Sequence, residues 1–251
     1  MSVYAVSDLH GQFNTFIEGI ESIGITDRDE LYVIGDAIDR GPDGIKLLEY
    51  IKDHDNMDLI LGNHEFLMLN SVDPDGKKQC RGHDSALWLY YNGGDCTYEK
   101  YEKLSLKSRK ELLEWLNSRF VIKTVKVNNR KFCLTHSYFI PGCENKTYSE
   151  LNYRDVWNIV WKSIFRDERD THGEDIYGGF DYTFITGHVP VQRILSVLAP
   201  EDETEWFKVI RRRNFADIDG GCAFGVYPGV RTGALFLRLD DMKEFPVLLQ
   251  E

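Results

Sequence analysis

The chain has 251 residues, of which 42% are hydrophobic and 28% are charged, a composition typical of a soluble globular protein. Its net charge of -11 disfavours binding to nucleic acid, because the average field of the protein repels a polyanion. No run approaches the roughly 18 apolar residues that a membrane span requires, and no basic segment followed by an apolar export signal is evident, so we expect a cytoplasmic protein with neither nucleic-acid nor membrane partners.

The first half of the chain alternates short apolar runs with segments of helical periodicity. The run VYAV precedes apolar residues at helical spacing between Phe13 and Ile23, and LYVIG precedes a second such segment that begins near Pro42. A third run, DLILG, leads into NHEFLMLNSV. The alternation repeats roughly every thirty residues, the length of a β-α-β unit. We therefore predict an α/β fold whose first strands are parallel.

The pattern changes between about residues 73 and 120. ALWLYYN and RKELLEWL have helical periodicity, and Gly93 and Gly94 interrupt the stretch between them. We predict a mostly helical insertion at 73–120 within a single domain that covers residues 1–251. Strand-like runs then return as KFCLTH, YTFITGH, FADIDGG and GALFLRLDD, and a helix is predicted around Asp155–Ile164.

Polar side chains follow the ends of five apolar runs. They are Asp8, His10, Asp36, Asn63, His64, His136 and His188. A lone Asp, Asn or His at a strand end is more often a cap, a turn or a packed residue. However, four of the seven histidines of the chain occupy these ends, and His54, His83 and His172 are interpreted as surface residues. Because ligands bind beyond the carboxyl ends of strands in open α/β sheets, the joint pattern predicts one shared site.

The donor set of this site indicates its chemistry. Imidazole nitrogens, carboxylates and one carboxamide, without a thiolate, suit Mn, Fe, Zn or Co better than Ca or Mg. Even six ligands from this set of seven residues exceed the needs of one tetrahedral zinc ion and suit two ions that share a bridging carboxylate. We therefore expect two divalent metal ions, manganese first and iron, zinc or cobalt as alternatives. Phosphoester hydrolysis is the chemistry that such a pair serves best.

Five motifs occur in the order seen in the metallophosphoesterase superfamily. They are SDLHG (7–11), GDAIDRG (35–41), GNHE (62–65), THS (135–137) and GHVP (187–190). The chain resembles the phosphoprotein phosphatase branch, and within it the small bacterial and phage serine/threonine phosphatases, over about residues 3–240. NGG at 92–94 and DIDGGCAFG at 217–225 resemble the same group. The resemblance implies a sandwich of two mixed β-sheets flanked by helices.

The resemblance also implies the metal ligands. The first ion would be held by Asp8, His10 and Asp36, and the second by Asp36 as the bridge together with Asn63, His136 and His188. The nucleophile would be a metal-bound hydroxide that attacks phosphorus in line, without a phosphoenzyme intermediate.

Three further residues would act on the substrate by the same resemblance. His64 would be the general acid that protonates the leaving alkoxide, Asp39 would orient it, and Arg40 would bind phosphoryl oxygens. A serine alkoxide is a poor leaving group, so a positioned acid matters, and the arginine fork matches the geometry of phosphate. Glu65 is interpreted as stabilising the N-terminus of a helix rather than as catalytic.

Two features depart from the family pattern. Ser7 stands where family members usually have glycine, and no arginine stands two residues after Trp157 or Trp161. Candidates for a second substrate-binding arginine are Arg154, Arg166 and Arg169.

The leading prediction is a metal-dependent serine/threonine protein phosphatase, with phosphotyrosine as a further substrate. Its partners would be phosphorylated proteins, phosphopeptides or small phosphoesters. A symmetrical dinucleoside tetraphosphatase is the alternative, because that family shares the same motifs. A non-catalytic relative that uses the fold to bind metals or partners is the third hypothesis.

Overall fold

Ten β-strands form two mixed sheets of five strands each in the computed structural model, which describes residues 1–163, 179–201, 206–212 and 214–250. In chain order the strands are β1 (Val3–Ser7), β2 (Glu30–Ile34), β3 (Met57–Ile60), β4 (Ile122–Val127), β5 (Arg130–Thr135), β6 (Thr183–Thr186), β7 (Ile210–Arg212), β8 (Phe215–Asp217), β9 (Gly233–Arg238) and β10 (Lys243–Leu248). The first sheet has the order β10-β9-β1-β2-β3 and the second β4-β5-β6-β8-β7. The strands β1, β2 and β3 run parallel, as do β5, β6 and β8, whereas the other pairings are antiparallel.

Seven α-helices lie within the described residues. They are α1 (Phe13–Ile23), α2 (Gly44–Lys52), α3 (Asn63–Leu69), α4 (Asp95–Tyr101), α5 (Leu106–Asn117), α6 (Tyr153–Trp161) and α7 (Val191–Leu198). A π-helix (Leu87–Tyr91) and two short 3-10 helices (Tyr148–Glu150 and Cys222–Phe224) complete the helical segments of that part of the chain. In the same residues, each helix falls short of the length and apolarity needed to cross a membrane.

The alternation of side chains along β1 builds two apolar cores. Val3 and Ala5 point into a cluster that also contains Phe132 of the second sheet, so the two sheets pack face to face. Tyr4 and Val6 point the other way, into the cluster formed with the helices. The fold is therefore a sandwich of two mixed sheets flanked by helices, which confirms the predicted fold class.

Individual elements differ from the sequence prediction at the sheet edges. The predicted runs around KFCLTH, YTFITGH, FADIDGG and GALFLRLDD contain β5, β6, β8 and β9, but β4, β7 and β10 were not predicted. All three are edge strands, and charged residues or proline on such strands weaken the apolar alternation by which a strand is recognised. The helix predicted around 155–164 spans Tyr153–Trp161, and residue 164 lies outside the described residues.

The segment at 73–120 contains the π-helix, α4 and α5. Its status as an insertion within a single domain stays a prediction. Of the histidines interpreted as surface residues, His83 is exposed and His54 is half-buried, with its ring stacked on Tyr50. His172 lies outside the described residues.

Candidate active site

The loops after β1 and β2 lie side by side and place the first candidate ligands. The backbone N–H of Asp8 donates to the carbonyl of Gly35 at 3.1 Å, and the N–H of His10 donates to the carbonyl of Asp36 at 2.8 Å. These bonds extend the pairing of two parallel strands past their carboxyl ends. Asp8, His10 and Asp36 thereby lie together at the carboxyl ends of the parallel strands, where ligands bind in open α/β sheets.

The backbone at this edge adopts conformations that L-residues rarely take. Of nine non-glycine residues with positive φ in the described part of the chain, six belong to the predicted site. They are Asp8, His10, Asp36, Asp39, Arg40 and His188. Each such conformation costs about 1–3 kcal/mol and persists only where the surrounding structure holds it, which is typical of functional sites.

The carboxylate of Asp36 lies at the centre of the cluster. Its Oδ2 is 3.4 Å from Nε2 of His136, 3.7 Å from Nε2 of His64 and 3.8 Å from Nε2 of His10. Its Oδ1 accepts the backbone N–H of His64 at 3.0 Å. Burial alone would raise the pKa of Asp36, but the imidazoles of His136, His64 and His10 lower it well below its ordinary value. A charged carboxylate thus faces imidazole nitrogens from three separate segments of the chain, one of them the first turn of α3.

The side chain of Asn63 connects the two sheets. Its Oδ1 is 2.9 Å from Nε2 of His136 and 2.9 Å from Nδ1 of His188, which follow β5 and β6 of the second sheet. Donor atoms of Asp36, His136 and His188 all lie within 4.8 Å of one another, and so do those of His10, Asp36 and His64. Asp36 belongs to both groups, which is the arrangement required of a bridging ligand.

Backbone carbonyls orient two of the imidazoles. Nδ1 of His10 lies 3.1 Å from the carbonyl of Ile38, and Nδ1 of His136 lies 3.1 Å from the carbonyl of Ile34. With Nδ1–H donating, Nε2 of each ring faces the cluster with its lone pair, as in metal-binding histidines. Burial lowers the pKa of His10 well below its ordinary value, and His64 lowers it further, which favours the neutral form that binds metals.

Asp8 lies deeper, at the floor of the site. Its Oδ2 accepts the backbone N–H of His188 at 3.0 Å. A Cβ atom on Gly187 would collide with this oxygen, so the glycine of GHVP is needed for the close approach. Burial raises the pKa of Asp8 well above its ordinary value, and the carboxylate of Asp219 raises it further. Cations bound nearby would reverse this effect.

The donor set fits divalent metal ions. Asp8, Asp36 and Asp219 are buried, and the carboxylates of Asp219 and Asp36 both raise the pKa of Asp8. A group of buried negative charges costs free energy unless positive charge offsets it. Imidazole nitrogens and carboxylate or amide oxygens are the donors that Mn, Fe, Zn and Co accept. The residues present could therefore hold two such ions with Asp36 shared between them.

His64 and Asp39 form a buried pair beside the cluster. Nδ1 of His64 is 2.6 Å from Oδ2 of Asp39, and Nε2 of His64 is 3.4 Å from a terminal guanidinium nitrogen of Arg40. His64 is 1% exposed and Asp39 is fully buried, whereas Arg40 is exposed. Burial alone would lower the pKa of His64, but the carboxylates of Asp36 and Asp39 raise it above its ordinary value.

A cavity that is open to solvent joins these groups. Six of the predicted site residues line it, namely His10, Asp36, Arg40, Asn63, His64 and His188. Its other lining residues are Asn92, Trp161, Pro190, Asp219 and Ala223. The structure thus gathers metal-type donors, an imidazole and a guanidinium around one space.

Several residues of this site were not singled out from the sequence. Asp219 follows β8 as Asp8 follows β1, so the same strand-end pattern could have revealed it. Asn92 belongs to the NGG motif, although the sequence assigned it no role, and Trp161 is the last residue of α6, where no local pattern marks it. Burial raises the pKa of Asp219 to about 7.

Glu65 has a larger structural part than stabilising a helix N-terminus. Its carboxylate accepts the backbone N–H groups of Asp36, Ala37, Ile38 and Gly62 at 2.8–3.3 Å. Four donors occupy both oxygens, so Glu65 holds the loop after β2 against α3. This arrangement agrees with a non-catalytic interpretation.

The two departures from the family pattern have different structural settings. Ser7 is fully buried, and its hydroxyl has no partner among the described residues. Arg154 is exposed and is not among the described residues that line the cavity. Arg166 and Arg169 lie outside the described residues.

The chain also matches a known family model over most of its length. Residues 1–220 match the family model Metallophos, described as calcineurin-like phosphoesterase. The chain belongs to the calcineurin-like phosphoesterase family. The cluster of His and Asp side chains is the candidate metal centre of this family member.

Relatives of this calcineurin-like phosphoesterase include symmetrical bis(5'-nucleosyl)-tetraphosphatases. The protein of that name from Nitrosospira multiformis is 35% identical over 144 residues, which is 57% of this chain and 45% of the relative. The one from Buchnera aphidicola is 28% identical over 145 residues, which is 56% of this chain and 46% of the relative. The matches therefore span less than half the length of these relatives.

Solved structures of several phosphatases share the fold. A structure described as a candidate diadenosine tetraphosphatase superposes with a TM-score of 0.58 at 14% identity, covering 99% of this chain and 94% of that one. A cold-active protein tyrosine phosphatase gives 0.57 at 18% identity, covering 100% and 79%. A protein serine/threonine phosphatase from Saccharomyces cerevisiae gives 0.56 at 15% identity, covering 100% and 80%. At these identities the likeness shows the fold alone.

Proposed function

We propose that this calcineurin-like phosphoesterase hydrolyses phosphomonoesters of serine and threonine, with His64 as the general acid. The observation that carries the proposal is the buried His64–Asp39 pair, whose second imidazole nitrogen, Nε2, faces the cavity 3.4 Å from Arg40. An acid in this place is most useful when the leaving group is an alkoxide.

Six residues would hold two divalent metal ions in this enzyme. They are Asp8, His10, Asp36, Asn63, His136 and His188, with Asp36 as the bridge. Such ions, when bound, lower the pKa of water and neutralise charge on a phosphoryl group. The close approach of Asp36 to imidazoles of both sheets supports this assignment.

Side chains of the protein would bind the substrate and transfer the proton. Arg40 lies at the cavity rim, where its guanidinium can pair with phosphoryl oxygens. Nδ1 of His64 donates to Asp39, so Nε2 is the nitrogen that presents a proton to the leaving oxygen. As the phosphorus–oxygen bond breaks, that proton passes to the serine oxygen, which leaves as a hydroxyl group. Water supplies the hydroxyl group of the phosphate product and the proton that restores His64.

Symmetrical dinucleoside tetraphosphatase activity is the second candidate. The observation that favours it is the identity of 28–35% to proteins of that name. A nucleotide leaving group is a weaker base than an alkoxide and has less need of an acid. The His64–Asp39 pair suits an alkoxide leaving group, but it lies in motifs that both families share, so direct comparison of the two substrates decides between the candidates.

The experiment that separates the two candidates compares substrates directly. A phosphoserine peptide and diadenosine tetraphosphate are hydrolysed side by side in Mn²⁺, and kcat/KM is measured for each. We expect the peptide to be the better substrate. A strong preference for the dinucleotide would replace the first candidate with the second, and two bound metal ions without turnover of either would favour the non-catalytic relative.

The variant His64→Asn tests the acid role. We expect an unchanged metal content, a loss of about 100-fold or more in kcat on a phosphoserine peptide, and a much smaller loss on p-nitrophenyl phosphate, whose leaving group needs no proton. The matched control is His54→Asn, because His54 lies outside the site and bonds to the carbonyl of Tyr50. Equal losses on both substrates would remove His64 from the acid role.

A further inference from the structure

Trp88 lies behind the His64–Asp39 pair and is fully buried. Its indole N–H donates to Oδ2 of Asp39 at 2.8 Å, and Nδ1 of His64 contacts the same oxygen at 2.6 Å. The other oxygen, Oδ1, is buried and has no partner among the described residues. Within that part of the chain, the hydrogen bonds that orient the carboxylate of Asp39 therefore come from His64 and Trp88 alone.

The rotation of this carboxylate depends on the indole. Without the Trp88 donor, the carboxylate is held through the imidazole it is meant to orient. The carboxylate could then rotate so that Oδ1, rather than Oδ2, faces His64. Nε2 of His64 must face the leaving oxygen within hydrogen-bond reach. A small rotation of the ring would therefore lower the rate of proton transfer.

The NGG motif has a structural reason in this arrangement. A Cβ atom on Gly94 would collide with the indole nitrogen of Trp88, so glycine permits the indole to reach Asp39. The carbonyl of Gly93 accepts the backbone N–H of Arg40 at 3.1 Å. Gly93 and Gly94, which follow the π-helix Leu87–Tyr91, thus help to position Arg40 directly and Asp39 through Trp88. The backbone N–H of Asp39 is also held, by Oγ1 of Thr97 at 3.0 Å.

We propose that Trp88 is a positioning residue for the reaction: its indole N–H fixes the carboxylate of Asp39 and, through it, the direction of Nε2 of His64. The inference rests on the acid role proposed for His64. Trp88 does not line the cavity and contacts no candidate metal ligand through this bond, so its effect is confined to the proton-donating step.

The variant Trp88→Phe removes the donor and tests the proposal. A hydrogen bond to a charged carboxylate is lost, so we expect kcat on a phosphoserine peptide to fall about tenfold to hundredfold. We expect KM and metal content to stay as in the wild type, and the rate on p-nitrophenyl phosphate to change by less than about threefold. In the double variant with Asp39→Asn, we expect no loss beyond that of Asp39→Asn alone, since the two residues act through one interaction.

Trp206→Phe is the matched control, because the indole of Trp206 donates to the carbonyl of Ala199 at 2.9 Å, away from the cavity lining. It should leave both rates unchanged. If Trp88→Phe does not fold, benzothienylalanine at position 88 keeps the bicyclic shape and replaces the N–H by sulfur, and the same fall in kcat is expected.

The outcomes separate this inference from the proposed function. If His64→Asn and Asp39→Asn slow the phosphopeptide selectively while the folded position-88 variant has wild-type rates, Trp88 has no positioning role. An equal loss on both substrates, or a loss of bound metal, in the position-88 variant also overturns the inference. If His64→Asn itself shows no selectivity, the proposed acid role fails, and the inference fails with it.

Discussion

At the scale of single residues, Asp36 is the side chain on which most of the site converges. Its carboxylate approaches imidazoles of His10, His64 and His136 within 3.8 Å, and its backbone is held by Glu65. It is also the one residue common to both groups of metal-type donors in the described part of the chain. If a residue bridges two ions, removing its charge should weaken the binding of both.

The variant Asp36→Asn tests that bridging role. We expect it to lose both metal ions, whereas His188→Asn should lose mainly the second ion and keep the first. Metal content after gel filtration, measured by mass spectrometry, gives the stoichiometry. Asp58→Asn is the control, because Asp58 pairs with Arg119 at 2.6 Å away from the site. Retention of both ions by Asp36→Asn would contradict the bridge.

At the scale of elements, the first turn of α3 acts as the anchor of the loop after β2. Glu65, in this turn, accepts four backbone N–H groups, three of which belong to the successive residues 36–38. The loop carries Asp36 in a positive-φ conformation, with φ of 52°. The glutamate therefore stabilises a strained backbone that presents a candidate ligand.

We expect Glu65→Gln to lower the free energy of unfolding by about 2–4 kcal/mol, because an amide group would face backbone donors that are left unsatisfied. The matched control is Glu150→Gln. Glu150 is also the third residue of a helical segment and accepts the N–H of Thr147 at 2.9 Å, but it is exposed. That change should leave the free energy of unfolding nearly unchanged, because water can solvate the same groups. Urea unfolding of each variant in EDTA measures the difference without bound metal, and equal losses would contradict the anchoring role.

At the scale of the whole molecule, the site lies where the two sheets meet. Asp8, Asp36 and Asn63 follow strands of the first sheet, and His136 and His188 follow strands of the second. The donor atoms of Asp36, His136 and His188 converge only when the sheets are packed together. Metal ions would therefore bind the folded state and not the unfolded chain.

We expect Mn²⁺ to raise Tm by roughly 5–10 °C at about 100 times its Kd, and EDTA to reverse the shift. Differential scanning calorimetry measures the effect. Ca²⁺ should give a smaller shift, since the imidazole donors do not suit it, and Asp36→Asn should show little response to Mn²⁺. A shift of equal size with Ca²⁺, or an undiminished shift in Asp36→Asn, would contradict binding at this cluster.

Much of the fold and the site is readable from local patterns. Apolar runs such as VYAV and LYVIG, each followed by a helical segment, predict parallel strands, and polar residues at their carboxyl ends predict where a site forms. The structure brings the nine predicted site residues into one region around and beneath the cavity. The edge strands β4, β7 and β10 escaped prediction because edge strands are only partly covered by apolar neighbours.

The sequence by itself determined the α/β class, the strand ends that carry chemistry and the kind of donors they offer, because hydrophobic periodicity and side-chain chemistry are local properties. The two-sheet sandwich was implied by the family resemblance. Only the tertiary structure decided which of those groups face one another: Asp36 between both sheets, Glu65 under the loop after β2, and Trp88 behind Asp39. These contacts join residues 27–100 positions apart in the chain. Their geometry depends on how helices and sheets pack, and no pattern within a single segment encodes it.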